Sequence, residues 1–181
     1  MKKIILFIMV LGLFGCSLSD IDNTPTKQVE AFLNNYQTLD KKVLDDLDIV
    51  IAKQQSFNRE QSLKYRDILK KHYQNLSYEI KDETVNGNKA DVEVEIEVTD
   101  FYKILKEADD YLNNHQTQFI DENGNYSESK YIDYQLDQMA KAKDTVKYTL
   151  NLSLSKNDNG DWQLDDIDDI TEEKILGIYK Y

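Results

Sequence analysis

The chain has 181 residues, with 34 acidic against 22 basic side chains and a formal net charge of −12. A surface this acidic repels phosphate backbones and anionic headgroups, which argues against nucleic-acid binding and against a body that lies flat on its own membrane. The single cysteine, Cys16, cannot close a disulfide within the chain. The roughly 165 residues behind the first fifteen are enough for one domain with its own core.

In chain order, Lys2 and Lys3 form a positive region, Ile4 to Phe14 a nearly unbroken apolar run, and Gly15-Cys16 a small-residue junction. The run is shorter than the about 20 residues of a spanning helix, and Ser17-Leu18-Ser19-Asp20 does not extend it. Residues 1–16, closing on Leu13-Phe14-Gly15-Cys16, resemble a bacterial lipoprotein signal with its lipobox, although Phe14 is bulky for its position. The resemblance implies that residues 1–15 are a signal peptide and that Cys16, the first residue of the mature chain, carries a covalent diacylglycerol. It also implies acyl chains of the palmitate kind, no other cofactor, and a place on the extracytoplasmic face of the cell membrane. Two acyl chains hold a protein stably where one would not. Residues 16–23 then read as a lipidated polar tether, and 24–181 as a single folded domain.

Thr24-Pro25 is a helix start, with Thr24 as N-cap and Pro25 in the first turn. Val29, Phe32, Leu33 and Tyr36 follow at helical spacing. A second helix carries Leu39, Val43, Leu44, Leu47 and Ile51. A third, after Ser56-Phe57-Asn58, carries Leu63, Ile68, Leu69, His72, Tyr73 and Leu76.

The period then falls to two. Tyr78 and Ile80 alternate with Glu79 and Lys81, and beyond Asn86-Gly87-Asn88 the apolar Ala90, Val92, Val94, Ile96 and Val98 alternate with Asp91, Glu93, Glu95 and Glu97. A two-residue turn at Asn86-Gly87 would oppose Ile80 to Glu93. The pattern therefore predicts a three-residue loop at 86–88, with Ile80 opposite Val94 and Lys81 opposite Glu93.

Residues 100–143 read as an inserted helical pair. Phe101, Leu105, Ala108, Leu112, His115 and Phe119 fall on one helix, and Ile132, Leu136, Met139 and Ala140 on the other, with a polar break at Asp121 to Ser127. Val146, Tyr148, Leu150, Leu152 and Leu154 then alternate, Asn157 to Gly160 turn, and Trp162 and Leu164 return. Broken alternation before Ile167 predicts a bulge at Asp165-Asp166. A last helix is expected to be capped by Thr171, with Glu172 and Glu173 in its first turn.

This order, together with a Thr-Pro opening helix, a strand pair around an Asn-Gly turn and Gly160-Asp161-Trp162, is similar to the nuclear transport factor 2-like, or cystatin-like, family. The similarity is strongest to small bacterial lipoproteins of that class. It implies an α+β fold in which a curved antiparallel sheet packs on N-terminal helices around a conical cavity. No catalytic residue carries over.

By periodicity Tyr36, Tyr73, Tyr78, Tyr148 and Trp162 face inward, so they form either an ordinary aromatic core or the lining of an apolar pocket with phenol hydroxyls for orientation. His72 and His115 continue apolar stripes and lack zinc-ligand spacing, which suits packing better than metal binding or catalysis. The row Asp91, Glu93, Glu95, Glu97 reads as a solvated strand face before it reads as a cation ridge. Two Asn- and Gly-rich loops, at 121–125 and 158–161, read as turns before calcium sites. The residues thus point to a non-catalytic, membrane-anchored module for a small apolar ligand or another envelope protein. The alternatives are a ketosteroid-isomerase-like enzyme with a pocket acid supplied by the insertion, and a structural or inhibitory envelope module using the acidic ridge.

Overall fold

In the computed structural model, residues 23–181 are described. The leader 1–15, the lipidation site Cys16 and all of the tether 16–23 except Asn23 lie outside the described residues.

Helix α1 (Pro25–Thr38) starts as its sequence dictates: the Thr24 side chain accepts from the Lys27 N–H, and Pro25 fills the first turn. It stops at Leu39, which adopts φ 54°, while the N–H groups of Leu39 and Asp40 return to the carbonyls of Tyr36 and Asn35. Helix α2 (Lys41–Ala52) begins immediately, because Asp40 accepts from the Val43 N–H at 2.8 Å. Helix α3 (Arg59–Asn75) has a reciprocal capping box between Asn58 and Gln61.

Leu63 does not share the buried face of α3. It is 56% exposed, whereas Gln61 is buried and reaches Ser129 and Asp133. At about 100° per residue, the stripe through Ile68 and Leu69 returns to Gln61 and Tyr65 and leaves Leu63 outside.

Strands β1 (Ser77–Asn86), β2 (Lys89–Thr99), β3 (Thr145–Lys156) and β4 (Trp162–Leu164) form one curled antiparallel sheet in that order. The inward side chains of β2 and β3 are the alternating apolar sets read from the sequence. Val92, Val94, Ile96, Leu150, Leu152 and Leu154 are all buried against α1 and α3. The fold is α+β, with the helical pair inserted between β2 and β3.

Ile80 does face Val94, but by another route than the expected loop. The hairpin closes through two residues, Gly87-Asn88, with Gly87 at φ 64°, and Asn86 pairs with Lys89. A bulge at Lys81 absorbs the extra residue, so Asp82, not Lys81, opposes Glu93. The displaced ammonium meets Glu79 at 2.6 Å and Glu95 at 3.6 Å.

The insertion comprises α4 (Phe101–Asn114) and α5 (Glu128–Lys141). His115 and Phe119 are not on the first helix: α4 ends at Asn114, His115 caps it, and Phe119 closes a separate 3-10 turn, Gln116–Phe119. Near the C-terminus there is no bulge at Asp165-Asp166. The strand ends at Leu164, and the Asp165 N–H still donates to the Ser153 carbonyl at 3.0 Å. Helix α6 (Asp169–Ile175) is capped by Asp168 rather than Thr171, whose N–H donates to Asp168 Oδ1 at 2.7 Å. Asp168 takes the cap because it stands three residues ahead of a free N–H.

Candidate functional site

Docking of the β4–α6 segment beside α1 and α2 leaves a cleft of about 560 Å³. Phe32 and Tyr36, one turn apart on α1, and Tyr73 from α3 form its aromatic side. The rings of Phe32 and Tyr36 meet edge to face at 5.4 Å, those of Tyr36 and Tyr73 at 5.0 Å. Val43, Ile167 and Ile175 add aliphatic surface. Asp46 on α2, Glu172 on α6, and Asp165 and Asp166 between them supply carboxylates; Lys42 and Lys53 are the cations of the lining.

Tyr73 is only 5% exposed, yet neither its hydroxyl nor that of Tyr36 makes a hydrogen bond among the described residues. Neither is sealed from solvent, since among the described residues the His72 Nδ1 is the buried side-chain polar atom left without a partner. Burial first, then the charges of Asp46 and Glu172, pushes the Tyr36 phenol up to about 12. Tyr73 is raised further, by burial first, with Tyr36, Tyr65, Asp46 and Glu172 adding to it. Both phenols are therefore neutral donors and acceptors throughout the physiological range.

Of the five aromatic residues expected to line one pocket, the structure brings together Tyr36 and Tyr73. Tyr78 lies on the edge strand and donates to Asn34 Oδ1 at 3.2 Å. Tyr148 lies on β3 opposite Ile96, donating to the Tyr179 carbonyl at 3.1 Å. Trp162 packs under the Lys156 ammonium, 4.9 Å from its ring centroid. The sequence reading missed Phe32, Asp46 and Glu172. Phe32 was legible as the i−4 neighbour of Tyr36. Asp46 and Glu172 were not, because the cleft exists only through the packing of α6, which starts three residues before a Thr171 cap would allow.

Asp100 is the buried carboxylate among the described residues, 4% exposed; burial first, and then the Asp100 charge, raise the Tyr148 phenol. Its oxygens are already engaged, Oδ1 by the Lys103 N–H at 2.9 Å and Oδ2 by the Tyr181 hydroxyl at 2.7 Å. It lines neither this cleft nor the second one described next.

A second, more apolar groove of about 600 Å³ runs between α3 and α5, with Leu63, Ile68, Phe101 and Met139 in its walls. His72 borders it, stacked on Phe101 at 4.7 Å, with Nε2 at 2.8 Å from the Ile175 carbonyl. Nε2 must donate there, so Nδ1 is the bare nitrogen. Burial holds this imidazole down to about 4, against a smaller upward pull from the Ile175 bond. His115 instead stacks on Tyr111 at 3.9 Å and meets the Tyr111 carbonyl through Nδ1.

On the outer sheet face, the Ser153 hydroxyl donates to Asp91, the Thr145 hydroxyl to Glu97, and Lys147 to Glu95 at 2.8 Å. The Lys147 hydrogen bond is the main reason that Glu95 titrates below its ordinary range. In the two polar loops one side-chain oxygen turns inward to the backbone: Asp121 Oδ1 accepts from the Asn123 and Asn125 N–H groups, and Asn157 Oδ1 from those of Asn159 and Asp161. Among the described residues no three His, Cys, Asp or Glu side chains gather as metal ligands. Nor is any helix there long and apolar enough to cross a membrane.

No protein-family model matches the chain, and no curated protein matches it in sequence. Among solved structures it is similar to ycdA of Bacillus subtilis, described provisionally as a lipoprotein, at 17% identity and a TM-score of 0.45. The match covers 93% of this chain and 52% of that one, so this chain spans about half the length of that protein.

Proposed function

We propose that the protein is a lipid-anchored module on the extracytoplasmic face of a cell membrane, and that its domain binds a small, partly apolar molecule in the cleft between α1, α2 and α6. The anchor rests on the leader and Cys16, and the nuclear transport factor 2-like resemblance on the order of elements. The observation that carries the binding role is the pair of tyrosines in the cleft lining, Tyr36 and Tyr73, whose hydroxyls are unpartnered within the described residues. Polar groups that fix orientation inside a mostly apolar concavity are what small-molecule sites are made of.

The enzymatic alternative has less to stand on. A general base needs a free lone pair within reach of substrate, and Asp100 has its oxygens committed to a helix cap and to Tyr181. The ridge reading is weakened by the cross-strand partners of Asp91, Glu95 and Glu97.

Native mass spectrometry of the full chain extracted from membranes tests the proposal. A non-covalent adduct is expected, and it should disappear in Ala31→Trp, which fills the cleft from its exposed α1 side. An adduct that survives Ala31→Trp, or a chain that carries none, overturns the assignment to this cleft. A bare Cys16 thiol in the same spectra overturns the anchor.

A further inference from the structure

We propose that the cleft ligand is an organic cation, a protonated amine on an apolar or aromatic body; this rests on the cleft being a binding site at all. Three features converge on that chemistry. First, Phe32, Tyr36 and Tyr73 form a contiguous aromatic wall, and ring faces attract ammonium groups.

Second, the hydroxyls of Tyr36 and Tyr73 have lone pairs free for a ligand N–H, with Tyr73 itself almost wholly buried. A phenol can also donate, so the hydroxyls alone would accept an anion equally well. The third feature decides between the two. Asp46 from α2 and Glu172 from α6 both stand in the lining, and the charge of each reaches both phenols. Lys42 and Lys53 belong to the lining, but with Asp165 and Asp166 included the carboxylates outnumber them. An anionic ligand would bring its charge against this field, within a chain that is already strongly acidic. A cation instead gains from both the rings and the carboxylates, while its apolar body meets Val43, Ile167 and Ile175.

Three probes of one shape separate the possibilities: 2-phenylethylammonium, neutral 2-phenylethanol and anionic 3-phenylpropanoate. Each is titrated into the full chain in zwitterionic detergent and followed by NMR of ring-labelled tyrosine. The expected result is saturable movement of the Tyr36 and Tyr73 signals by the ammonium, with the alcohol at least about tenfold weaker and the carboxylate weaker still. Asp46→Asn combined with Glu172→Gln should remove that preference, and Tyr73→Phe should weaken the ammonium severalfold with the fold intact. Equal binding of the alcohol overturns the cation assignment and leaves the binding-site reading standing. Tighter binding of the carboxylate, or an ammonium that moves only signals outside the cleft, also overturns it. The adduct experiment above decides the binding-site reading separately.

Discussion

The described residues hold two apolar clusters built on different principles. In the larger one, β2 and β3 present their even-numbered side chains to α1 and α3, and aliphatic residues from Ala90 to Leu154 are buried by strand alternation alone. The smaller one, at the tip of the insertion, is aromatic. Phe119 stands edge-on to Tyr131 and Tyr134 at 5.5 Å each, and Tyr111 stacks on Tyr134 at 4.8 Å, with Ala108 beneath. Regular backbone fills the first without any one residue being special. The second depends on a 3-10 turn that delivers one ring into the gap between two helices. Segments joined by few shared buried residues open as separate units, so the two clusters should fail separately.

The largest effect should come from Leu150→Ala. Leu150 is fully buried at the centre of β3 and pairs with Val94, and truncation there is expected to cost about 3–5 kcal/mol. Urea unfolding should show the loss, and amide exchange should accelerate across the sheet and the helices that share its cluster. Faster exchange confined to β3 would show that the larger cluster is not one cooperative unit.

Acid should attack the same cluster next. His72 is held near 4 when folded against an ordinary value of 6.5, so the unfolded chain takes up a proton that the folded chain refuses. Above pH 6.5 this has no effect. As pH falls from 6.5 toward 4 the protein loses stability, by about 3 kcal/mol in full, because one pH unit of mismatch is worth about 1.4 kcal/mol. His72→Gln, which keeps a donor for the Ile175 carbonyl, should flatten that part of the profile. Carboxylates titrate at the bottom of the same range, so the informative quantity is the difference between the two profiles.

What the sequence made legible follows the same division. Strict alternation marked Val92 to Val98 and Tyr148 to Leu154, and the Thr24-Pro25 cap marked the start of α1, because these signals are local. The bulge at Lys81 was invisible, since a two-residue Gly87-Asn88 turn plus one extra residue restores the Ile80–Val94 pairing that a longer loop would also give. Leu63 misled because leucine is read as core wherever it occurs, while Gln61 is buried through the partners that α5 brings to it. The cleft was half legible. Tyr36 and Tyr73 sit on helical stripes, but Asp46 and Glu172 share a lining only once α6 has docked. Tyr78, Tyr148 and Trp162 share the inward parity of the two tyrosines without sharing their neighbourhood, because parity assigns a face and not a position along it.

Phe119→Ala should affect global stability less than its burial suggests. Removing a core phenylalanine ordinarily costs about 3–5 kcal/mol, and Phe119 is only 3% exposed. If the tip opens by itself, the penalty falls on the tip's own closing equilibrium, and the urea midpoint moves by less than about 1 kcal/mol in equivalent free energy. Exchange should then rise in residues 108–131 and stay unchanged in β2. A midpoint shift as large as that of Leu150→Ala would erase the distinction between the clusters.

The smallest effect should come from the outer face of the strand that carries Leu150. Lys147 lies three residues away with opposite parity and meets Glu95, whose other cation is Lys81. An exposed pair of this kind is screened by salt and costs side-chain freedom to hold. Lys147→Ala should therefore leave the urea midpoint unmoved at physiological ionic strength, and lower it only when salt is reduced to about 10 mM, where screening extends over roughly 30 Å. A clear loss at physiological salt would mean that the carboxylate row depends on its lysines to stay in register, and that the sheet is held from outside as well as from within.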